Sequence, residues 1–473
     1  MSDSLAIPPE EVRALIEAAA EFVATYYGTL PEIPVLSPST SQHLREALRE
    51  PLPLAGAGFE TLLETLRDVI FRFSRHNGHP RFFGYVASPG TPITAVGSMI
   101  EATLNANVTS WRSSPPAAEL EHLVIDWLKE MIGYPAGAAG LLVSGGSMAN
   151  FAALAAARSA RLPDAVHEGL SGAPLTVYVS AEAHFSVRKA AGLLGIGEAN
   201  VRTVNTDGRL RMDPADLERL IQADLAAGRL PLCVSASLGT VGSGAVDPIG
   251  AISAIARSYG LWLHVDAAYG GFAALAPSGR PYFEAISEAD SVTLAPHKWL
   301  YLPVGCGCIL YKDPAAAFAA FSHEAEYTRV IGLERSESFA FWDYGPELSR
   351  PFRALNLWLL LKYAGTKRIG EAIESNIACA KYFEELVRAS EDFEMLAPVE
   401  LSIFCFRHAP PGFTGDLDAL NERVLLALQR AGSSYISNAR VHGAFALRGC
   451  VLNYRTTTRD MEQLLQDVRA AAQ

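Results

Sequence analysis

Residues 261–269 read LWLHVDAAY, and residues 293–299 read TLAPHKW. Each stretch carries a charged residue, Asp266 or Lys298, where an apolar run typical of a buried strand comes to its end. Burying a charge without a partner is costly, so each residue is expected to face a ligand or an opposite charge. The two stretches therefore predict a sheet whose edge carries both side chains.

Strands and helices are predicted to alternate on either side of these stretches, between residues 141 and 311. Strands are expected at 141–143, 175–179, 231–237, 261–265 and 291–294. This alternation is typical of a mostly parallel sheet covered by helices, which binds ligands at the carboxyl ends of its strands. We predict an α/β chain with three parts: an N-terminal helical segment (1–85), a large α/β domain (86–365) and a small C-terminal α+β domain (366–473) with a strand at 451–454.

Composition narrows the class of protein. The chain has 473 residues, of which 49% are hydrophobic and 19% charged, as in a soluble enzyme. A formal net charge of −12 argues against nucleic acid and anionic membranes as partners. Six scattered cysteines predict buried thiols in a reducing cytoplasm and no metal site. Neither a signal peptide nor a membrane-spanning run is evident.

The pairing of Lys298 with Asp266 suits pyridoxal 5′-phosphate (PLP). A lysine amine can bond to the cofactor aldehyde, and a carboxylate can keep the pyridine nitrogen protonated. The protonated ring then withdraws electrons from the substrate α-carbon. Taken singly, each residue has an ordinary explanation as a surface lysine or a helix-capping aspartate.

Two further features lie between predicted strands and helices. Residues 144–147 read SGGS, ahead of a helix expected from Met148. Glycines let the backbone approach an anion, and a helix N-terminus attracts phosphate. His184 follows the strand at 175–179 and could stack on an aromatic ring. Such turns often serve packing alone, and most single histidines are surface or core residues, but the order of these features along the chain favours a cofactor site.

The motifs at 144–147, 184, 264–271 and 296–299 resemble those of the group II PLP-dependent amino-acid decarboxylases, which include aromatic-L-amino-acid, tyrosine, histidine and glutamate decarboxylases. Residues 79–85, 114–121 and 350–355 also match, and the resemblance covers about residues 10–470. It implies the type I PLP-dependent, aspartate-aminotransferase-like fold. It also implies a homodimer with active sites at the subunit interface.

The resemblance implies a role for individual residues. Lys298 would bond to the cofactor aldehyde, Asp266 would pair with the pyridine nitrogen and His184 would stack on the ring. Further cofactor contacts are expected from Gly146, Ser147, Thr240, Ala268 and His297. The substrate pocket is expected to include Tyr85, Ser88 and Trp111.

The chain departs from this family pattern in two places. Ala295 stands where relatives often have a polar residue near the phosphate, which removes one hydrogen bond. Many relatives also protonate the α-carbon with a loop tyrosine, and an ungapped count back from Arg350 puts Phe341 at that position. Phenylalanine has no proton to give, and in similar enzymes this exchange yields aldehyde, ammonia and peroxide. Tyr344 and Tyr327 lie in the same stretch and remain alternative proton donors.

The sequence therefore predicts PLP-dependent decarboxylation of an L-amino acid. Aromatic residues at 82, 83, 85 and 111 favour an aromatic substrate. Three alternatives stay open: an oxidative enzyme that forms an aldehyde, a transaminase or other lyase on the same fold, and a PLP-binding protein without activity. Fold alone does not decide among them.

Overall fold

The computed structural model describes residues 5–323 and 339–473. A seven-stranded sheet has the order β1-β7-β6-β5-β4-β2-β3, with β7 antiparallel to its neighbours β1 and β6 and the other pairs parallel. Its strands are β1 (Ala139–Val143), β2 (Leu175–Ser180), β3 (Val201–Val204), β4 (Leu230–Ser237), β5 (Trp262–Ala267), β6 (Ser291–Leu294) and β7 (Gly307–Tyr311). The predicted α/β class is confirmed.

Helices surround both sheets. They are α1 (Pro9–Thr29), α2 (Ser41–Leu48), α3 (Phe59–Thr65, continued by a π-helical stretch Leu66–Phe71), α4 (Pro92–Leu104), α5 (Pro115–Ile132), α6 (Gly146–Arg161), α7 (Ala165–Glu168), α8 (Ser186–Leu193), α9 (Pro214–Ala226), α10 (Ile249–Tyr259), α11 (Pro314–Phe321), α12 (Arg353–Arg388), α13 (Leu417–Ala431) and α14 (Thr458–Ala471). Asp213 and Asp313 cap α9 and α11, each accepting from a backbone N–H at 2.9 Å. Aspartate followed by proline is a strong helix start, which explains why these boundaries were predictable.

The central strands are apolar because helices cover both faces of the sheet. Every residue of β2 and β6 is buried, and so are Val234 in β4 and Val265 in β5. A parallel sheet covered on both faces needs such continuous apolar strands. Polar residues inside these strands are buried as well, among them Thr176 in β2 and His264 in β5, and each has a hydrogen-bond partner.

A second, antiparallel sheet has the order β10-β11-β9-β8. Its strands are β8 (Phe393–Met395), β9 (Ile403–His408), β10 (Ser437–Val441) and β11 (Ala444–Cys450). The strand predicted at 451–454 is wrong. Val451 and Leu452 are buried, but Val451 N–H bonds to the Ser402 carbonyl, outside the strands, and Asn453 then forms a turn by accepting from Arg455 N–H at 3.0 Å. The apolar run reflects burial without strand pairing.

Several strand boundaries differ from the prediction by one or two residues, and so does the start of one helix. Asp266 lies within β5, and α6 begins at Gly146, two residues before the expected Met148. Helix α12 is interrupted at Gly365 (φ 73°, ψ 153°). Gly365 lies in the left-handed half of φ space, which glycine enters without a Cβ clash. The division at residues 85 and 365 stays a prediction.

The first two helices contribute no residue to the buried core. Neither α1 nor α2 has a buried residue, and α1 exposes the apolar side chains of Val12, Ile16 and Val23. In residues 5–323 and 339–473, no helix combines the length and the apolar character needed to cross a bilayer.

Candidate active site

A cavity of about 460 Å³ opens at the carboxyl edge of the large sheet. Its lining includes Ser144, Gly146, Ser147, Asn150, His184, Thr240, Asp266, Ala268, Tyr269, His297, Lys298 and Val304. All eight predicted cofactor contacts are among them. A larger cavity, of about 930 Å³, lies among the N-terminal helices, but its lining contains none of the predicted site residues.

Lys298 and Asp266 reach the cavity from neighbouring parallel strands. Asp266 pairs in register with Thr293 of β6, and a tight turn with Lys298 N–H bonded to the Ala295 carbonyl (2.8 Å) brings the lysine back over the strand end. Burial lowers the pKa of Lys298; the Asp266 carboxylate opposes this shift, and the Arg448 guanidinium adds to it. A lowered pKa leaves more of the neutral amine that attacks a carbonyl group.

The Asp266 carboxylate is held from two directions. Its Oδ2 accepts from Asn150 Nδ2 at 2.8 Å, and its Oδ1 accepts from the backbone N–H of Ala268 at 3.1 Å. Hydrogen bonds to a carboxylate are stronger than those between neutral groups. Asp266 is therefore ordered within the cavity wall before any ligand binds.

His184 lies at the end of β2 in a defined orientation. Its Nδ1 accepts from the backbone N–H of Ser186 at 3.2 Å and lies 2.7 Å from Ser186 Oγ. Burial lowers the pKa of His184, and Lys298 contributes to that shift while Asp266 opposes it. These contacts place the ring proton on Nε2 and keep the imidazole neutral near pH 7.

The turn before α6 forms an anion cradle. A helix begins with N–H groups that lack intrahelical acceptors, and here these belong to the glycine-serine turn. A Cβ added at Gly146 would lie 3.1 Å from the Ala268 Cβ, so the backbone at Gly146 runs close to the Ala268 side of the cavity. Within the described residues, His297 Nδ1 is buried without a hydrogen-bond partner. These groups suit a phosphate.

The residues present fit PLP. An amine of lowered pKa, a carboxylate, an imidazole and an anion cradle surround one cavity. Thr240 also lines it, with its Oγ1 accepting from Ala245 N–H at 3.1 Å and lying 3.0 Å from Ser243 Oγ. This donor and acceptor set matches the aldehyde, ring and phosphate of the cofactor.

Sequence reasoning missed several residues around the cavity. Asn150 and Ser186 line it. Arg448 from β11 donates to the carbonyl of Val241, another lining residue, at 3.0 Å and to the Tyr85 carbonyl at 2.8 Å. Within the described chain, Arg448 Nη2 is buried without a partner. Asn150 could have been predicted from the sequence, because it lies one helical turn after the glycine turn. Arg448 carried no local signal, because it comes from the other sheet.

The three predicted substrate-pocket residues do not line this cavity. The Tyr85 hydroxyl lies 3.4 Å from that of Tyr435, and Trp111 Nε1 donates to Glu119 at 2.8 Å. Ser88 Oγ donates to the carbonyl of His297 at 3.2 Å, so it supports the lysine turn from behind. Of residues 85–88 in the same chain, only Val86 lines the cavity.

The structure does not bring Phe341 or Tyr344 to the site. Phe341 is fully buried and stacks on the His122 ring at 5.4 Å between centroids. Tyr344 stacks on Phe339 at 5.2 Å. Neither lines the cavity, because the aromatic cluster holds both rings elsewhere in the core. Tyr327 lies outside the described residues.

The chain is similar to several characterised proteins. It is 33% identical to the aromatic-L-amino-acid decarboxylase of Bacillus atrophaeus, with 100% of this chain and 98% of that protein covered. It is 32% identical to the phenylacetaldehyde synthase of Petunia hybrida, with 94% and 91% covered. The crystal structure of Oryza sativa TDC with PLP and tryptamine has a TM-score of 0.93 at 30% identity, covering 99% of both chains.

The family profile described as "Pyridoxal-dependent decarboxylase conserved domain" matches residues 41–409, well over half of the chain. This range includes the glycine turn, the β5 aspartate and the lysine after β6. Together with the fit of the cavity to the cofactor, the match assigns the chain: it belongs to the pyridoxal-dependent decarboxylases and is a PLP-dependent carboxy-lyase.

Proposed function

We propose that this enzyme decarboxylates an aromatic L-amino acid to its amine and carbon dioxide. The observation that carries the proposal is the meeting of Lys298, with its lowered pKa, and Asp266 in one cavity beside an anion cradle. An aromatic substrate is supported by the relative named aromatic-L-amino-acid decarboxylase and by the similar structure that contains tryptamine.

Each side chain has a distinct task in this proposal. Lys298 would hold the cofactor through its aldehyde, Asp266 would accept a hydrogen bond from the pyridine nitrogen, and His184 would lie against the ring face. The phosphate would be held by Gly146, Ser147 and His297, while Thr240 and Ala268 would border the ring. When bound, PLP supplies the electron sink for the bond that releases carbon dioxide.

Amine formation needs a proton at the α-carbon. Lys298 is a nearby group that can carry one, because burial lowers the pKa of its amine and so eases release of the proton. Phe341 is fully buried and does not line this cavity, so its lack of a hydroxyl does not favour an aldehyde product. The similarity to a phenylacetaldehyde synthase keeps aldehyde formation as the second candidate.

A homodimer with active sites at the interface is part of the proposal. Support comes from α1, which has no buried residue, and from α4, which exposes Val96, Met99 and Ile100. Val304 is 83% exposed at the cavity, where a second subunit could cover it. In such a dimer, Tyr85 and Trp111 could serve the partner's pocket. Exposed apolar faces of this kind are typical of subunit contacts.

A cytoplasmic location completes the proposal. All six cysteines lie in the described part of the chain, and each is a buried free thiol. Such usage fits a reducing compartment.

Product analysis by mass spectrometry tests the proposed reaction. The PLP-loaded enzyme is incubated in air with a panel of L-amino acids that includes tryptophan, tyrosine, phenylalanine and glutamate. Amine and carbon dioxide in equal amounts from an aromatic substrate are expected. Aldehyde, ammonia and peroxide would establish the oxidative alternative instead. Turnover that needs a ketoacid and releases no carbon dioxide would establish a transaminase, and the absence of any product would contradict catalysis.

A further inference from the structure

One buried amide touches both residues that face the cofactor ring in the proposed function. Asn150 Nδ2 donates to Asp266 Oδ2 at 2.8 Å and to Ser186 Oγ at 2.9 Å. Ser186 Oγ in turn lies 2.7 Å from His184 Nδ1. The two N–H bonds of a single amide group therefore connect the carboxylate to the imidazole.

The other end of the same amide is fixed as well. Asn150 Oδ1 accepts from Thr293 Oγ1 at 2.7 Å and contacts His264 Nε2 at 3.0 Å. Rotating the amide by 180° would turn its oxygen towards the Asp266 carboxylate and its N–H bonds towards two donors. The hydrogen-bond network thus determines a single orientation.

His264 extends this hydrogen-bond network to the neighbouring strand β6. Its Nδ1 lies 2.9 Å from Ser291 Oγ, and the same hydroxyl oxygen accepts from Trp262 Nε1 at 2.8 Å. Burial lowers the pKa of His264 to about 4, so the ring is neutral at pH 7. Because Asn150 Oδ1 can only accept, the neutral ring carries its proton on Nε2 and accepts at Nδ1. Asn150, Ser186, His264, Ser291 and Thr293 are all buried, so water does not compete for these bonds.

We infer that Asn150 is a positioning residue, which holds Asp266 against the pyridine nitrogen and His184 against the ring face in one fixed arrangement. The inference rests on the proposed function, since it assumes that PLP occupies this cavity. Without Asn150, Asp266 loses its bond at Oδ2 and retains the bond from the Ala268 N–H, while Ser186 loses the donor that orients it.

The test compares Asn150→Ala with the wild-type holoenzyme. The PLP dissociation constant is measured by tryptophan fluorescence quenching, and the visible absorbance of the lysine-bound cofactor is titrated with pH. Losing one hydrogen bond to a charged group should weaken PLP binding about tenfold. The titration midpoint should shift as well, and kcat should fall more than KM rises.

Asn150→Asp provides a sharper variant of nearly the same size. It replaces the donor with a second carboxyl group beside Asp266, and two adjacent carboxylates hold a proton that neither would hold alone. PLP binding by this variant should therefore recover as the pH is lowered, whereas wild-type binding should not.

Asn421→Ala is the matched control. Asn421 is an equally buried asparagine in α13, where it exchanges two hydrogen bonds with the backbone of His408. Its removal should lower the melting temperature without shifting the cofactor titration.

The outcomes separate the two proposals. A wild-type protein that binds no PLP or releases no carbon dioxide contradicts the proposed function. A wild type that does both, with Asn150→Ala unchanged within about twofold in PLP affinity and titration midpoint, contradicts only the positioning role. If Asn150→Ala does not fold, Thr293→Val decides. It removes one bond to Oδ1 at constant volume and should shift the same titration, and an unchanged titration would overturn the inference.

Discussion

The guanidinium carbon of Arg350 lies 4.2 Å from the centroid of the Phe341 ring. Arg350 donates to Glu121 and to the carbonyls of Val108 and Leu142, and both members of its ion pair are 1% exposed. Phe341 therefore covers a buried charge. Its position in the core explains why an aromatic residue is found there without any role at the cofactor.

Phe341→Tyr should leave the ratio of amine to aldehyde unchanged, because the added hydroxyl points into the aromatic cluster and not into the cavity. Phe341→Ala should lower the free energy of unfolding by about 3–5 kcal/mol through the cavity it creates. Product ratios and denaturant unfolding measure the two effects. More amine at the expense of aldehyde from Phe341→Tyr would return this residue to the active site.

Removing one member of the buried ion pair should be costly. Glu121→Gln leaves the Arg350 charge unpaired in the core and is expected to lower the free energy of unfolding by about 3–5 kcal/mol. The matched control is Asp418→Asn, which breaks the pair with Arg440, a residue that is 62% exposed. The control should cost no more than about 1 kcal/mol. Equal losses in the two variants would contradict the importance of burial.

Lys298→Ala should abolish covalent attachment of PLP and reduce turnover by at least about a thousandfold, since the nucleophile is lost. Borohydride reduction followed by peptide mass spectrometry locates the attachment site. The expected result is a labelled Lys298 peptide in the wild type and no labelled lysine in the variant. Labelling of a different lysine in the wild type would show that the assignment is wrong.

Asp266→Asn keeps the size of the side chain but removes its charge. The protein should still bind PLP through Lys298 and the anion cradle, whereas kcat should fall by about a hundredfold or more, because the negative charge opposite the pyridine nitrogen is gone. Steady-state kinetics and absorbance spectra separate the two effects. A variant with wild-type kcat would exclude Asp266 as the ring-nitrogen partner.

The neutral state of His264 predicts a pH dependence of stability. Its pKa falls from 6.5 to about 4 on folding, so the unfolded chain takes up a proton at a higher pH than the folded chain does. Stability from this group is therefore complete above pH 6.5 and is lost as the pH falls from 6.5 towards 4. Melting temperatures of the cofactor-free protein should decline less steeply over this range in His264→Gln. Identical slopes would contradict the buried neutral histidine.

The order of motifs along the sequence determined the fold class and which residues line the candidate cofactor cavity. Asp266 and Lys298 could be placed there because Asp266 lies at the end of an apolar strand and Lys298 follows another, and the glycine turn because it precedes a helix. These are local signals: a strand end, a turn and a helix start are each encoded by a few neighbouring residues. Parallel strands then bring their ends to one edge of the sheet without further information.

Only the tertiary structure decided which residues from distant parts of the sequence surround the carboxyl edge of the large sheet. Asn150 meets Asp266 across 116 positions and Thr293 across 143, and Arg448 arrives from a different sheet. The burial of Phe341 could not be predicted, because a count along a loop carries no information about which way a side chain packs. Contacts between residues distant in sequence depend on how the whole chain packs, and no local pattern of residue types encodes them.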